Sequence, residues 1–221
     1  MHKGFFADAL SNRPLLWQAM LRANSRPSPC ALTVETERVM GTFAAPVLAW
    51  LGQGSNTSST VAAPEPFWDF AEESRRLALL DEGAVLGLTR IAGVALHAPE
   101  VAQVVQRDAQ IALRQSLGED LYRYALYRGQ YQSGGVRRFF QQMHTGLPLA
   151  ERCALHGSMA LRLVAGLWPV ALVQCFLSLL PPLPEEHPLP TLAEGEIREL
   201  WFVLKKLLLK EVAPAWAQSF S

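Results

Sequence analysis

A cysteine and a histidine, two residue types that bind metal ions, stand three positions apart in the sequence. Cys153 and His156 would share one face of a helix, with His144 and Cys175 at larger separations on either side. A zinc site needs three or four such ligands that converge on one point. Because the spacing brings only two together, we expect Cys153, His156 and Cys175 to be ordinary core residues and predict no bound metal.

Motifs for nucleophilic catalysis and for nucleotide binding are incomplete or missing. Ser158 lies in HGSMA, which lacks the second glycine of the G-x-S-x-G turn, and no Asp or His is placed by the sequence to complete a triad. Neither a P-loop nor a strand-flanked G-x-G-x-x-G occurs. We therefore expect a protein that is not an enzyme and that uses no cofactor.

The cysteines indicate a reducing compartment. Cys30, Cys153 and Cys175 are odd in number and far apart, and they form no C-x-x-C motif. The N-terminal stretch MHKGFFADALSNRPLL lacks the apolar core of a signal peptide. We expect a cytoplasmic protein without disulfides.

The charge balance excludes one class of partner and points to another. Twenty basic and twenty acidic residues give a formal net charge of zero, so the basic footprint of a nucleic-acid-binding protein is missing. The chain is 50% hydrophobic and only 18% charged, so little self-repulsion keeps copies apart. This composition favours an obligate protein partner and no binding of nucleic acid.

Hydrophobic residues recur with the 3.6-residue period of helices, and no alternating run of useful length competes, so we predict an all-α fold. Residues 67–98 predict either two helices or one kinked helix whose glycines, Gly83, Gly87 and Gly93, permit close packing. Pro99 is expected to end this stretch and to begin the next helix, which Gly118 would terminate. The stripe predicted to face the core after Pro99 comprises Val101, Val104, Val105, Ala109, Ala112 and Leu113. Residues 191–214 predict a long C-terminal amphipathic helix, with Thr191 and Glu194 in capping-box spacing.

One segment reaches the lower length limit of a membrane-spanning helix. Residues 163–180 carry no charge, but Gly166 and Pro169 would interrupt a helix there, and Gln174 and Ser178 are polar. We expect a buried pair of helices and no membrane insertion.

Two segments of turn-forming composition divide the chain. Residues 52–66, GQGSNTSSTVAAPEP, predict a flexible linker or loop between an N-terminal helical portion, 1–51, and a main helical body, 67–221. Whether 1–51 and 67–221 form one continuous domain stays open. Residues 181–190, rich in proline, predict an extended connector.

The phrase LGEDLYRYALYRG, residues 117–129, predicts a short helix with Glu119 and Asp120 in its first turn. Leu121, Tyr124 and Ala125 would face the core, whereas other side chains of the phrase lie off that stripe. Basic pairs and a C-terminal aromatic offer further docking groups, although core packing and solvated faces are the alternatives. The residues that we expect to contact a partner are Arg123, Tyr127, Arg128, Arg137, Arg138, Lys205 and Trp216.

Residues 76–129 resemble the central region of the SctK (YscK, HrpD, OrgA) family of type III secretion accessory proteins. The similar motifs are an apolar helix with Leu86-Gly87, a valine-rich run from Val101, and an L-G-x-x-x-y-x-x-A-L phrase at Leu117-Gly118. In that phrase Tyr122, Ala125 and Leu126 match. The ending KKLLLKEVAPAWAQSF is also similar to the family's C-terminal pattern of lysine, valine, proline and a terminal aromatic.

The resemblance implies a cytosolic adaptor of the injectisome sorting platform, at the cytosolic face of the inner membrane. Such an adaptor joins the cytosolic domain of the inner-membrane ring protein, SctD, to the pod protein SctQ, with the stalk protein SctL as an optional further partner. The alternative from another class is a helical ligand-binding or regulatory module with a small-molecule pocket. Co-purification with the ring and pod proteins would separate the two.

Overall fold

The computed structural model describes residues 3–25, 67–184 and 186–220, and these residues form helices, turns and irregular segments but no strand. The chain divides into two compact units, residues 1–73 and residues 74–221. The α-helices are α1 (Lys3–Asn12), α2 (Pro14–Ser25), α3 (Glu82–Gln103), α4 (Arg107–Leu117), α5 (Glu119–Tyr127), α6 (Leu149–Ala165), α7 (Val170–Leu177) and α8 (Glu194–Leu207). The predicted all-α fold is confirmed.

Shorter helical segments of the 3₁₀ and π types join or extend these helices. The 3₁₀ segments are Glu73–Leu79, Gly129–Tyr131, Gly134–Phe139 and Pro214–Phe220, and a π-helical turn spans Leu208–Val212. The predicted linker 52–66 lies outside the described residues, so the proposed domain division stays a prediction. No helix forms in residues 181–184 and 186–190 of the proline-rich connector.

The first unit contains α1 and α2, which meet at Arg13. Leu16 and Met20 are fully buried on α2, and Ala9 is fully buried on α1. The Asn24 side-chain amide donates to the carbonyl oxygens of Met20 and Phe67, at 3.0 and 2.9 Å. This one side chain therefore ties the end of α2 to the segment that precedes residue 74.

Helices α3 and α6 form the centre of the second unit because glycines let their backbones touch. A Cβ placed on Gly93 would lie 1.8 Å from the carbonyl oxygen of Cys153, and one on Gly157 would lie 2.0 Å from that of Thr89. Only glycine fits at either position. The sequence-based suggestion that glycines in this region permit close packing is confirmed for Gly93.

Helix α3 begins where Asp81 caps it, with its carboxylate accepting the Ala84 N–H at 2.7 Å. The prediction that Pro99 ends this helix is wrong, because α3 continues through Pro99 to Gln103. Proline removes one helical hydrogen bond, but Ala98 and Val101 on either side are fully buried. We attribute the continuation to this burial, which offsets the lost bond.

The chain leaves the helix at residues 104–106 instead, and this break shifts the phase of the next helix. Val101 and Leu113 are buried as predicted, but Val105 is 84% exposed and Ala109 and Ala112 lie at the surface. Most of the core stripe predicted after Pro99 is therefore wrong. The prediction assumed one uninterrupted helical period across a segment that forms two helices.

The two glycine breaks predicted for α4 and for the apolar run are confirmed. Gly118 separates α4 from α5 with a φ of 87°, a left-handed conformation that favours glycine. Residues 163–180 split after Ala165, and Pro169 precedes α7. Among the residues that the structure describes, no helix has both the length and the apolar character that a membrane crossing requires.

The C-terminal helix α8 packs Ile197, Leu200, Trp201 and Leu204 inward, and the π-helical turn continues it to Val212. It begins at Glu194, later than the capping box predicted from Thr191. The Glu196 carboxylate accepts the Ala193 N–H at 2.9 Å instead. At the chain's end, Arg76 donates to the Ser219 carbonyl oxygen at 2.6 Å, which fixes the last 3₁₀ segment.

Candidate functional site

The predicted partner-binding residues of α5 stand on a well-anchored helix. Tyr124 and Ala125 are buried beneath it, whereas Leu121, which was expected to face the core, is only half-buried. Arg123 and Tyr127 are exposed on the opposite side, four residues apart, and so lie on one face. Tyr127 is 71% exposed.

In the 3₁₀ segment that follows α5, Tyr131 is 79% exposed. We call Arg123, Tyr127 and Tyr131 the α5 face. Sequence reasoning had named the first two residues and missed Tyr131. Helical spacing could not have identified Tyr131, because α5 ends at Tyr127.

Arg128 differs from its neighbours because its charge is already paired. Its guanidinium lies 2.9 Å from the Glu211 carboxylate, whose side chain is only 6% exposed. The same carboxylate oxygen accepts the Gln132 side-chain amide at 2.9 Å. Arg128 therefore holds α5 to the end of the C-terminal helix as well as facing solvent.

The remaining predicted docking residues lie on or beside α8 and the terminal segment. Arg138 is exposed, with its guanidinium over the Phe139 ring and 3.5 Å from the Glu199 carboxylate. Arg137 and Lys205 are half-buried. Trp216, also half-buried, has its ring centroid 6.2 Å from that of Phe220.

A second arrangement was missed by sequence reasoning: four of the five histidines lie together in the second unit. His97 is on α3, His156 is on α6, His144 is in the segment before α6, and His187 is in the proline-rich connector. The contact between Gly93 and Gly157 sets the separation of α3 and α6 at this level, because His97 is one turn from Gly93 and His156 adjoins Gly157. Both His97 and His156 are fully buried.

Three of these histidines, His97, His156 and His144, form one continuous series of hydrogen bonds with Glu100, which we call the histidine chain. Nδ1 of His97 lies 2.7 Å from a Glu100 carboxylate oxygen, and Nε2 of His97 lies 2.7 Å from Nδ1 of His156. Nε2 of His156 lies 2.9 Å from Nδ1 of His144. The other Glu100 oxygen accepts from Arg152 at 2.7 Å.

The carboxylate at one end assigns every tautomer in the chain. An ionised Glu100 can only accept, so His97 donates from Nδ1, and the other nitrogen of a neutral His97, Nε2, must accept. His156 then donates from Nδ1, and its Nε2 accepts from Nδ1 of His144. All three imidazoles are neutral in this arrangement, and Nε2 of His144 remains as the proton-accepting end.

Burial keeps the inner imidazoles neutral. Desolvation is the largest cause that lowers the pKa of His97, and with the neighbouring His97 it lowers the pKa of His156 to about 3. His144 is half-buried, and desolvation followed by His187 lowers its pKa as well. The rings of His144 and His187 are 4.4 Å apart in an edge contact.

The histidine chain modifies the prediction for Cys153 and His156. Both are core residues as expected, whereas the same prediction for Cys175 is wrong, because Cys175 is exposed. Burial raises the pKa of the Cys153 thiol to about 12, so the thiol is protonated. His156, however, bonds to polar partners on both ring nitrogens. In the described part of the chain no group of three metal-binding side chains is placed to hold an ion. The helical spacings of His97 with Glu100 and of Arg152 with His156 were the available signal.

Comparison of the chain with protein-family models, with curated protein sequences and with solved structures finds no match. The function of both sites is therefore inferred from contacts within this chain. The α5 face offers side chains suited to binding another protein, whereas the histidine chain offers groups that accept protons.

Proposed function

We propose that this chain is an adaptor that joins other proteins, and that it serves in the cytosolic sorting platform of a type III secretion system. The observation that carries this proposal is the α5 face. It lies within residues 117–131, and most of it belongs to the same phrase that resembles the SctK family.

The α5 face has the physical character of a protein-binding surface. Tyrosine offers a large amphipathic contact area at a small cost in conformational entropy, and an adjacent arginine supplies directional hydrogen bonds. The helix beneath is held by Tyr124 and Ala125 in the core and by the Arg128–Glu211 pair. A partner would therefore meet side chains whose backbone is already ordered, which lowers the entropy cost of binding.

The resemblance supplies the identity of the partners. The ring protein's cytosolic domain, SctD, and the pod protein SctQ are the proposed ligands, with SctL as an optional third component. The platform position implies that the adaptor works at the cytosolic face of the inner membrane. We assign the α5 face to one of these two direct contacts.

Co-purification tests the proposal directly. The full chain is produced with the SctD cytosolic domain and with SctQ from the same organism, and capture is measured by affinity pull-down and size-exclusion chromatography. The test variant combines Arg123→Glu with Tyr127→Ala. The matched control combines Arg198→Glu with Phe202→Ala, which are also four residues apart on an exposed helical face.

We expect the wild-type chain to be captured and the α5 variant to lose at least about tenfold in affinity for one partner, since interface tyrosines and arginines are frequent hot spots. The control pair should bind like wild type, and both variants should keep the wild-type melting temperature within a few degrees. If neither partner captured the wild-type chain, the adaptor role would be refuted. Wild-type capture by the α5 variant would instead refute only the choice of surface.

A further inference from the structure

We propose that the histidine chain is a pH-sensitive latch, which holds residues 140–147 against helices α3 and α6 at neutral pH and releases them on acidification. Two side chains of this segment contact His156. Phe140 is fully buried with its ring centroid 5.4 Å from that of His156, and His144 donates to His156. Phe140 and His144 therefore contact the same imidazole, that of His156.

Counting protons shows how the latch would respond. When the three imidazoles are neutral, each of the three hydrogen bonds of the histidine chain holds one proton. These bonds run from His97 to Glu100, from His156 to His97 and from His144 to His156. One further proton fits on Nε2 of His144 without breaking a bond. A second would put two protons between the same pair of heavy atoms, so one bond must break.

The surrounding charges favour breaking the hydrogen bond between His144 and His156. The charged and titratable groups facing the chain are Glu100 on α3, Arg152 and Cys153 on α6, and His187 in the connector. Glu100 attracts positive charge toward the inner end, where Arg152 already balances it. His187 faces His144 at the outer end and disfavours a positive charge on it, so protonation of His144 drives the two rings apart.

The backbone at His144 is poised to move when that bond is lost. His144 has a φ of 54°, a left-handed conformation that is unfavourable for a residue with a Cβ. Such conformations persist only when surrounding contacts hold them. The bond from His144 to His156 is such a contact, so its loss lets the backbone relax to a commoner conformation and carries the segment away.

Hydrogen exchange of the full chain, read by mass spectrometry and corrected for intrinsic rates, tests the latch. Within the segment, the amides of Gln141, Met143 and Leu147 are hydrogen-bonded to backbone carbonyls and report on opening. We expect their protection at pH 5.5 to fall about tenfold below that at pH 7.5 and, at both pH values, to stay well below that of α8, whose amides exchange only when the whole unit unfolds.

The informative variant is His144→Asn. Asparagine tolerates a left-handed backbone and its amide can donate to His156, but it does not titrate in this range. The variant should keep residues 140–147 equally protected at both pH values. His187→Gln, which removes only the outer repulsion, should shift the opening to lower pH.

Three results would overturn the proposal. The first is wild-type protection of residues 140–147 that does not change with pH. The second is protection of residues 140–147 that equals that of α8 at both pH values, which would indicate that the segment opens only when the whole unit unfolds. The third is a pH response of the His144→Asn variant that matches wild type. If that variant fails to fold, the comparison of the segment with α8 in the wild-type chain decides.

Discussion

Replacing Gly157 by alanine should separate the two central helices of the second unit. The added Cβ would lie 2.0 Å from the Thr89 carbonyl oxygen, about 1.4 Å short of the 3.4 Å at which ordinary contact begins. It would also lie 3.0 Å from the Gly93 nitrogen. Both neighbours are backbone atoms, which cannot rotate away as a side chain could, so α3 and α6 must shift.

The expected loss of unfolding free energy in Gly157→Ala follows from two opposing effects. Overpacking a core costs about 1–3 kcal/mol and occasionally more, and a backbone clash belongs at or above the upper end of that range. Alanine in place of glycine inside a helix contributes about 1 kcal/mol in the opposite direction. We expect Gly157→Ala to lower the free energy of unfolding by at least about 2 kcal/mol.

Urea unfolding followed by circular dichroism at pH 7.5 measures this loss. Gly195→Ala is the matched control, because Gly195 is also helical and an added Cβ there meets nothing within 4 Å. The control should be unchanged or more stable by up to about 1 kcal/mol. If Gly157→Ala matched the control, the close approach of α3 and α6 would be refuted, together with the placement of His97 beside His156 that depends on it.

Three further outcomes are expected. Leu161→Ala should cost about 2–5 kcal/mol of unfolding free energy and Leu121→Ala less, because Leu161 is fully buried and Leu121 half-buried; equal losses in urea unfolding would contradict the burial. Arg128→Glu should lower the melting temperature more than Arg123→Glu, because it would place a second carboxylate beside that of the largely buried Glu211. Thermal unfolding that ranked the two variants the other way would contradict this. The folded-state pKa of His156, about 3, lies below the 6.5 of an unfolded histidine, so the unfolded chain takes up the proton first and stability falls as pH drops below 6.5. His156 should make the chain about 1 kcal/mol less stable at pH 5.5 than at pH 7.5, and urea unfolding that is flat over this interval would contradict the assignment.

Local features of the chain were predictable from the sequence, because a helix's period and its ends depend on neighbouring residues. Leu155, Met159 and Leu163 lie four apart and are all buried on α6. Gly118 was identified as a break because glycine tolerates the left-handed backbone found there. The all-α fold and the amphipathic C-terminal helix follow from the same kind of pattern.

The tertiary structure decided what local patterns leave open. Pro99 continues its helix instead of ending it, which we ascribe to the burial of Ala98 and Val101, and the chain breaks a few residues later, so the next helix turns a different side inward. The histidine chain also depends on the packing, since His97 and His156 are separated by 59 positions. Only the glycine contact between α3 and α6 brings them within hydrogen-bonding distance. A periodic pattern identifies which face of a helix is buried, but the residues opposite that face belong to distant parts of the sequence and are set by three-dimensional packing.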